Sequence, residues 1–244
     1  MKIIIIRHGD PDYPNNTLTP TGFKEVDALG EYYKNYNFKE IYCSYLNRAK
    51  FTCDGLLKYN STFKKNNIHV EEWLQEFNYP IDEPVDHVLK NSWDFYPEYF
   101  TKNKNLYNND TYLDDYLFHD SICKEKYKMV IKNLDNILKE EGYTREFGYY
   151  RVNKINKDTI CFVCHLGMMN VLLSHLLNIP YVVLCQTFFC PPTGVTTLIS
   201  EERHEGIAQF RVQGYGDISH LKIKGMEPSF AGRFCEVYSD DTRH

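Results

Sequence analysis

Four short segments hold side chains able to do chemistry together. Arg7-His8-Gly9 closes a run of four isoleucines, so a cation and an imidazole stand at the carboxyl end of an apolar strand. In open α/β sheets ligands bind at that end, and a glycine beyond the histidine lets the chain turn sharply and a ligand approach closely. By itself the triplet also reads as a salt-bridged strand rim. Ser44-Tyr45-Leu46-Asn47-Arg48-Ala49 again follows a strand and opens a helix. Arg48 in the first turn conflicts with the positive end of the helix dipole. A bound anion removes the conflict, because the orphan N–H groups and the guanidinium then share one partner. The plain alternative is an arginine turned to solvent. Cys164-His165-Leu166-Gly167 puts a second histidine where an apolar strand meets a helix. Glu76, in Trp73-Leu74-Gln75-Glu76-Phe77, is flanked by bulky apolar residues. Desolvation there raises a carboxyl pKa and suits a proton donor near neutrality; the alternative is a surface residue on a short helix.

The elements that must position these groups are legible in outline. Lys2 to Ile6 is β-branched throughout, as a central buried strand requires. Asp10 to Asn16 is a polar, proline-interrupted turn. Thr19-Pro20 reads as a helix cap and first helical residue, with Phe23, Val26, Leu29 or Gly30, and Tyr33 recurring at helical spacing. Glu40–Cys43 reads as a strand and Ser44–Leu57 as a helix. Ile68–Val70 is a further short strand. Cys123–Glu141 is an amphipathic helix with Tyr127, Val130, Ile131, Leu134, Ile137 and Leu138 on one face. Thr159–Cys164 is a strand, Gly167–Leu177 a helix, and Val195–Ser200 with Ile207–Gln213 a late hairpin at the sheet edge. This β-loop-α-β-α opening predicts a three-layer α/β/α sandwich with a mainly parallel central sheet. From about 80 to 120 the pattern breaks into prolines, aromatics and an Asn-rich tract. That stretch reads as an inserted cap-like segment in a single domain spanning 1–244.

Composition narrows the function classes. The 244 residues carry 28 Lys+Arg against 33 Asp+Glu, a formal charge of −5 that argues against non-specific nucleic-acid binding. A local pair of arginines still outweighs a weak global field for a small anion. Four isoleucines closed by Arg7 are too few for a signal peptide, and no apolar run approaches a membrane span, so a cytoplasmic location is expected. The eight cysteines are scattered and are expected to be reduced. Cys161-Phe162-Val163-Cys164-His165 fits the pattern for haem attachment, but an apolar strand is the wrong setting for it. A zinc site from the same thiols lacks a second Cys/His pair.

Arg7-His8-Gly9, Leu18-Thr19-Pro20-Thr21-Gly22, Ser44 through Arg48-Ala49 with Thr52, Leu74-Gln75-Glu76-Phe77 and His165-Leu166-Gly167 resemble, in order, the histidine phosphatase superfamily. That family includes cofactor-dependent phosphoglycerate mutases and related phosphatases. Leucine stands between His165 and Gly167, where the family often has glycine or a small residue. The resemblance implies that His8 attacks phosphorus to give a phosphohistidine. Arg7, Arg48 and His165 are implied to bind and neutralise the phosphoryl oxygens, and Glu76 to protonate the leaving group. It implies no metal and no cofactor, and a small phosphorylated substrate.

Only Asp10 to Thr17 separate Gly9 from Leu18-Thr19, with no tryptophan and with Pro14 where the mutase pattern carries asparagine, so hydrolysis is favoured over mutase chemistry. A non-catalytic phospho-ligand module is the other alternative; it would not need His8 and Glu76 together. The aromatic insertion, Trp93–Tyr99 and Tyr107–Phe118, is expected to fold over the pocket mouth and to hold specificity; aromatic walls suggest an organic or ring-bearing phosphate, but packing of the loops is the favoured reading of these rings, and His220 is read as structural.

Overall fold

The computed structural model describes residues 1–83, 85, 87–118 and 121–229. The chain runs β1 (Lys2–Arg7), a small ladder of β2 (Pro11–Asp12) and β3 (Thr17–Leu18), α1 (Pro20–Tyr32), β4 (Glu40–Ser44), α2 (Asn47–Leu57) and β5 (Ile68–Glu71). The insertion holds a second small ladder, β6 (Ile81–Asp82) with β7 (Leu89–Lys90), and the one-turn helix α3 (Pro97–Phe100). Then follow α4 (Cys123–Glu140), β8 (Tyr143–Glu146), β9 (Tyr149–Val152), β10 (Thr159–Cys164), α5 (Leu166–Leu177) and α6 (Tyr181–Thr187). The long hairpin β11 (Val195–His204) and β12 (Ile207–Asp217) leads to the short helix α7 (Ser219–Ile223).

The isoleucine run explains the layering. Successive side chains of a strand point to opposite faces. Ile3 and Ile5 enter one core with Phe162, Leu134 and Leu172, while Ile4 and Ile6 enter another with Leu29, Ala49 and Leu56. All four are essentially inaccessible. Each contributes about 1.5–3 kcal/mol only when both faces are covered. Helices α1 and α2 cover one face; α4, α5, α6 and most of the insertion cover the other. The expected α/β/α sandwich is present, with strand order β5-β4-β10-β1-β11-β12-β9-β8. Its block β5-β4-β10-β1 is parallel, in a register that sets Arg7 beside Cys164 and Val163 beside Cys43.

Several boundaries differ from the sequence reading. Ser44 ends β4 rather than starting a helix, and α2 begins at Asn47. The hairpin β11–β12 lies inside the sheet, against β1. A second hairpin, β8–β9, takes the edge; its strands alternate too briefly to stand out in sequence. Phe23 is exposed although its helical spacing places it beside Val26, because it faces the outer side of α1 against Phe51. The α1 cap is as expected: Thr19 accepts a hydrogen bond from the Gly22 amide at 3.0 Å, with Pro20 in the first turn.

All seven cysteines among the described residues are unpaired and buried. Cys161 and Cys164 lie in the fully buried β10, an unsuitable place for haem attachment. Among the described residues no helix is long and apolar enough to cross a membrane. Residues 230–244 of the expected domain lie outside the described residues.

Candidate active site

Three strand ends and one loop bring the five predicted residues together. Arg7 ends β1 and His8 follows it. Arg48 occupies the first turn of α2, beyond β4. His165 is the cap residue of α5, beyond β10, and Glu76 enters from the loop after β5. The His8 and His165 ring centroids are 5.0 Å apart. The Arg48 Nε–H reaches His8 Nε2 at 3.3 Å.

His8 is held by its backbone and its ring. Its amide donates to the Cys164 carbonyl at 2.9 Å, tying β1 to β10 at the pocket floor. Nδ1 lies 2.7 Å from the Gly9 carbonyl oxygen, so Nδ1 carries the proton and Nε2 presents a lone pair. Burial pushes the His8 pKa well below its ordinary 6.5, and Arg7 and Arg48 push it further down. A neutral imidazole therefore stands between two cations, prepared to accept a positive charge only if an anion accompanies it.

Gly9 is required by close approach. A Cβ there would meet Val26 Cγ2 at 2.8 Å and the Gly22 carbonyl at 3.1 Å. Its amide donates to Thr52 Oγ1 at 2.9 Å, and Thr52 donates to the Arg48 carbonyl at 2.7 Å, so one buried hydroxyl couples the His8 loop to the turn that carries Arg48.

His165 is pinned from one side. Its Nε2 is 2.8 Å from Ser44 Oγ, while Nδ1 is buried with no partner. The Leu46 amide donates to the same hydroxyl at 3.4 Å, an arrangement compatible with a hydroxyl that donates to Nε2 and a ring proton on Nδ1. Burial lowers the His165 pKa, with His8 and the two arginines adding to the shift. Arg7 donates through Nη1 to the Cys190 carbonyl at 2.6 Å, and its Nε is a second buried donor without a partner. Two buried polar atoms without partners in the same cluster of residues favour an anion, since each costs about 1–3 kcal/mol until satisfied.

Glu76 Oε1 accepts from the Gly167 amide at 2.9 Å and the Phe77 amide at 3.0 Å. Gly167 has no room for a side chain: a Cβ would stand 2.6 Å from the Phe77 carbonyl, 2.8 Å from Glu76 Oε1 and 2.9 Å from Trp93 Cζ3. Desolvation raises the Glu76 pKa above its ordinary 4.5, against the lowering effect of Arg7, Arg48 and the two amides. Among the described residues His8, Glu76 and His165 are the group whose ligand atoms, within 4.8 Å of one another, are close enough for a metal ion. The two guanidinium groups beside them repel a cation and attract an anion. Cys164, whose thiol burial holds well above its ordinary pKa, is a poor nucleophile.

Sequence reasoning gave no role to several contributors. Ser44 and Thr52 stood in a recognised segment, but their contacts are purely tertiary. Thr193, at φ +56°, donates its amide to the His8 carbonyl at 3.2 Å, and its hydroxyl lies 2.9 Å from His220 Nε2. A β-branched residue in that region costs about 1–3 kcal/mol and is held there by its surroundings. His220 thus acts as a support under the His8 loop, and burial lowers its pKa to about 4. Tyr13 and Phe189 place their rings 5.4 Å from the Arg48 and 5.8 Å from the Arg7 guanidinium carbon. No local pattern marks either one.

Residues 3–213 match the model of the histidine phosphatase superfamily (branch 1), and the chain belongs to that family. No curated protein matches it in sequence. Among solved structures it is similar to a phosphoserine phosphatase mutant from Entamoeba histolytica in complex with phosphoserine, at 21% identity and TM-score 0.55, covering 90% of this chain and 98% of that one. It is also similar to the α-ribazole phosphatase from Shigella flexneri, at 15% identity and TM-score 0.51, covering 89% and 97%. A third is YhfR from Bacillus stearothermophilus, at 17% identity and TM-score 0.56, covering 90% and 98%. At these identities the likeness is one of fold.

Proposed function

We propose that the protein hydrolyses a small organic phosphomonoester without a metal, through a phosphohistidine on His8. The observation that carries this reading is the opposed setting of His8 and Glu76. One is an imidazole whose burial lowers its pKa and whose Nε2 presents a lone pair; the other, within reach of it, is a carboxyl whose burial raises its pKa above the ordinary 4.5. An imidazole made harder to protonate suits a nucleophile, and a carboxyl made harder to ionise suits a proton donor. Similar structures that bear the names of phosphatases support it.

In the first step His8 Nε2 attacks phosphorus, the P–N bond forms and the ester P–O bond breaks, and the departing oxygen takes the Glu76 proton. Arg7, Arg48 and His165 Nδ1 donate to the three non-bridging oxygens as charge builds on them. In the second step the Glu76 carboxylate takes a proton from water. The oxygen attacks phosphorus, the P–N bond breaks, and His8 leaves neutral with inorganic phosphate as product. Before either step Arg48 must exchange its contact with His8 Nε2 for the phosphate, which frees the nucleophile as substrate arrives.

Rapid quench of a turnover with labelled substrate is expected to trap an acid-labile, alkali-stable phosphate on His8. Label on a cysteine would overturn the mechanism. Vanadate binding with no His8-dependent turnover would favour a binding module instead.

A further inference from the structure

The phosphatase reading leaves the alcohol half of the substrate unassigned; the inference below rests on that reading and concerns only this half. We propose that the site selects phosphomonoesters whose alcohol carries a flat aromatic ring, with Trp93 and Tyr13 as the specificity-determining residues. In-line attack by His8 puts the leaving oxygen beside Glu76, so the group attached to that oxygen must lie on the Glu76 side of the phosphoryl group. The Glu76 carboxylate and the edge of the Trp93 indole border the same point above Gly167, at 2.8 and 2.9 Å from the position of an added Cβ. The edge of an indole therefore stands beside the carboxyl that meets the departing alcohol.

That indole is held in place. Trp93 sits in a 3-10 turn, Ser92–Asp94, whose Ser92 hydroxyl bonds the Tyr181 hydroxyl and whose Ser92 carbonyl accepts from Gln186. Little rotamer entropy remains to be lost when a ring stacks on it. Tyr13 supplies a second ring from the turn between β2 and β3. It is 62% exposed, yet stacks over the guanidinium of Arg48. An aromatic ring left in water beside a phosphate-binding cation is a surface for another ring, since stacking tolerates many partners through their π-faces.

The other aromatics of the insertion have different partners: exposed Tyr96 lies under Lys90, Tyr107 against Phe100 and Lys104, and Tyr116 bonds Tyr99. Phe95, Phe100, Tyr112 and Phe118 are buried in the core with α4 and α6. Specificity thus sits on one residue of the insertion and one of the first loop, rather than on the insertion at large.

The test compares adenosine 5′-monophosphate with ribose 5-phosphate. Both break the same primary ester, so leaving-group basicity and the demand on Glu76 are matched and only the base differs. The expected result is a kcat/KM about tenfold higher for the nucleotide, expressed mainly in KM. Trp93→Ala and Tyr13→Ala are each expected to narrow that ratio, while Trp93→Phe retains most of it. A second matched pair, 2-phenylethyl phosphate and butyl phosphate, separates a nucleobase from a bare ring. A tenfold preference in the first pair alone assigns a nucleobase, and in both pairs assigns any flat ring. Ratios near one in both pairs, with His8-dependent hydrolysis intact, overturn the substrate class and leave the phosphatase standing. So do variants that lose both members of a pair equally, as a merely structural Trp93 would. Failure of every ester, including p-nitrophenyl phosphate, removes the phosphatase reading itself, and the substrate class with it.

Discussion

The two halves of the sheet are made of comparable strands and put to different use. In β5, β4, β10 and β1 all strands point the same way, so their carboxyl ends, and the helix N-termini after β4 and β10, meet at one edge. Arg7, His8, Arg48 and His165 are delivered there from three separate crossovers. In β11, β12, β9 and β8 direction alternates, and the hairpins β11–β12 and β8–β9 each close in a two-residue turn, as at Glu205-Gly206, with Gly206 at φ +76°. That half contributes packing, as in the edge-to-face pair of Tyr150 and Phe210 at 5.2 Å. Strand direction, more than the amount of sheet, decides where reactive groups converge. The parallel half also keeps buried donors unsatisfied, Arg7 Nε and His165 Nδ1, which an anion is placed to recover.

The sharpest way to break this comparison is to remove one group from each half. His8→Ala is expected to cost at least about 10⁴-fold in kcat while melting close to the parent protein. Phe210→Ala, in the antiparallel half, is expected to lose about 3–5 kcal/mol in denaturant unfolding and keep kcat within a few-fold at a temperature where it is folded. A Phe210→Ala protein that stays folded yet loses turnover would mean the halves are not separable.

Glu76→Gln sharpens the picture within the parallel half. It is expected to slow an alkyl phosphate by about 10²–10⁴-fold and p-nitrophenyl phosphate by far less, because an activated phenolate leaves without a proton. Equal losses would remove Glu76 from the donor role.

His220 stands where the two halves meet, next to β12 and under the His8 loop. Its folded pKa, about 4, lies below its ordinary 6.5. Between those values the unfolded chain binds the extra proton, so stability falls by up to about 3 kcal/mol as pH drops from 6.5 toward 4. His220→Gln is expected to flatten this slope in urea titrations run across that range; an unchanged slope would assign the pH dependence to other groups.

The smallest effect concerns the pH profile. Activity is expected to fall on the acid side as His8 gains a proton, at a pH well below its ordinary 6.5, and on the alkaline side as Glu76 loses one, at a pH higher than its ordinary 4.5. The Arg48 charge lowers both pKa values, so Arg48→Ala is expected to move both limbs of kcat/KM to higher pH, beyond its overall loss of rate. Limbs that stay in place would show that burial alone sets the two groups.

The chain's local signals were strongest where one physical constraint governs a short segment. The isoleucine run, the Thr19-Pro20 cap and the α4 stripe each appear in the structure nearly as read, because burial on a fixed period and capping are local. Four of the five reactive residues were legible for a related reason: Arg7, His8, Arg48 and His165 sit at strand or helix termini, whereas Glu76 lies in a loop and was marked only by its apolar neighbours. The placement of β11–β12 within the sheet, the β8–β9 edge and the exposure of Phe23 were not legible, since pairing order and helix rotation depend on partners distant in sequence.

Residue type and order by themselves determined which groups could react and that apolar strands would lead to Arg7-His8, to the turn that carries Arg48 and to His165. Only the tertiary structure decided their state and their neighbours: that Gly9 fixes the His8 tautomer, that Ser44 holds His165, that Thr193 and His220 support the floor, and that Tyr13 and Trp93 border the site. The reason is one of range. Propensity and period act over a few residues, whereas pKa, tautomer and orphaned donors are set by burial and by charges that folding brings in from elsewhere in the chain.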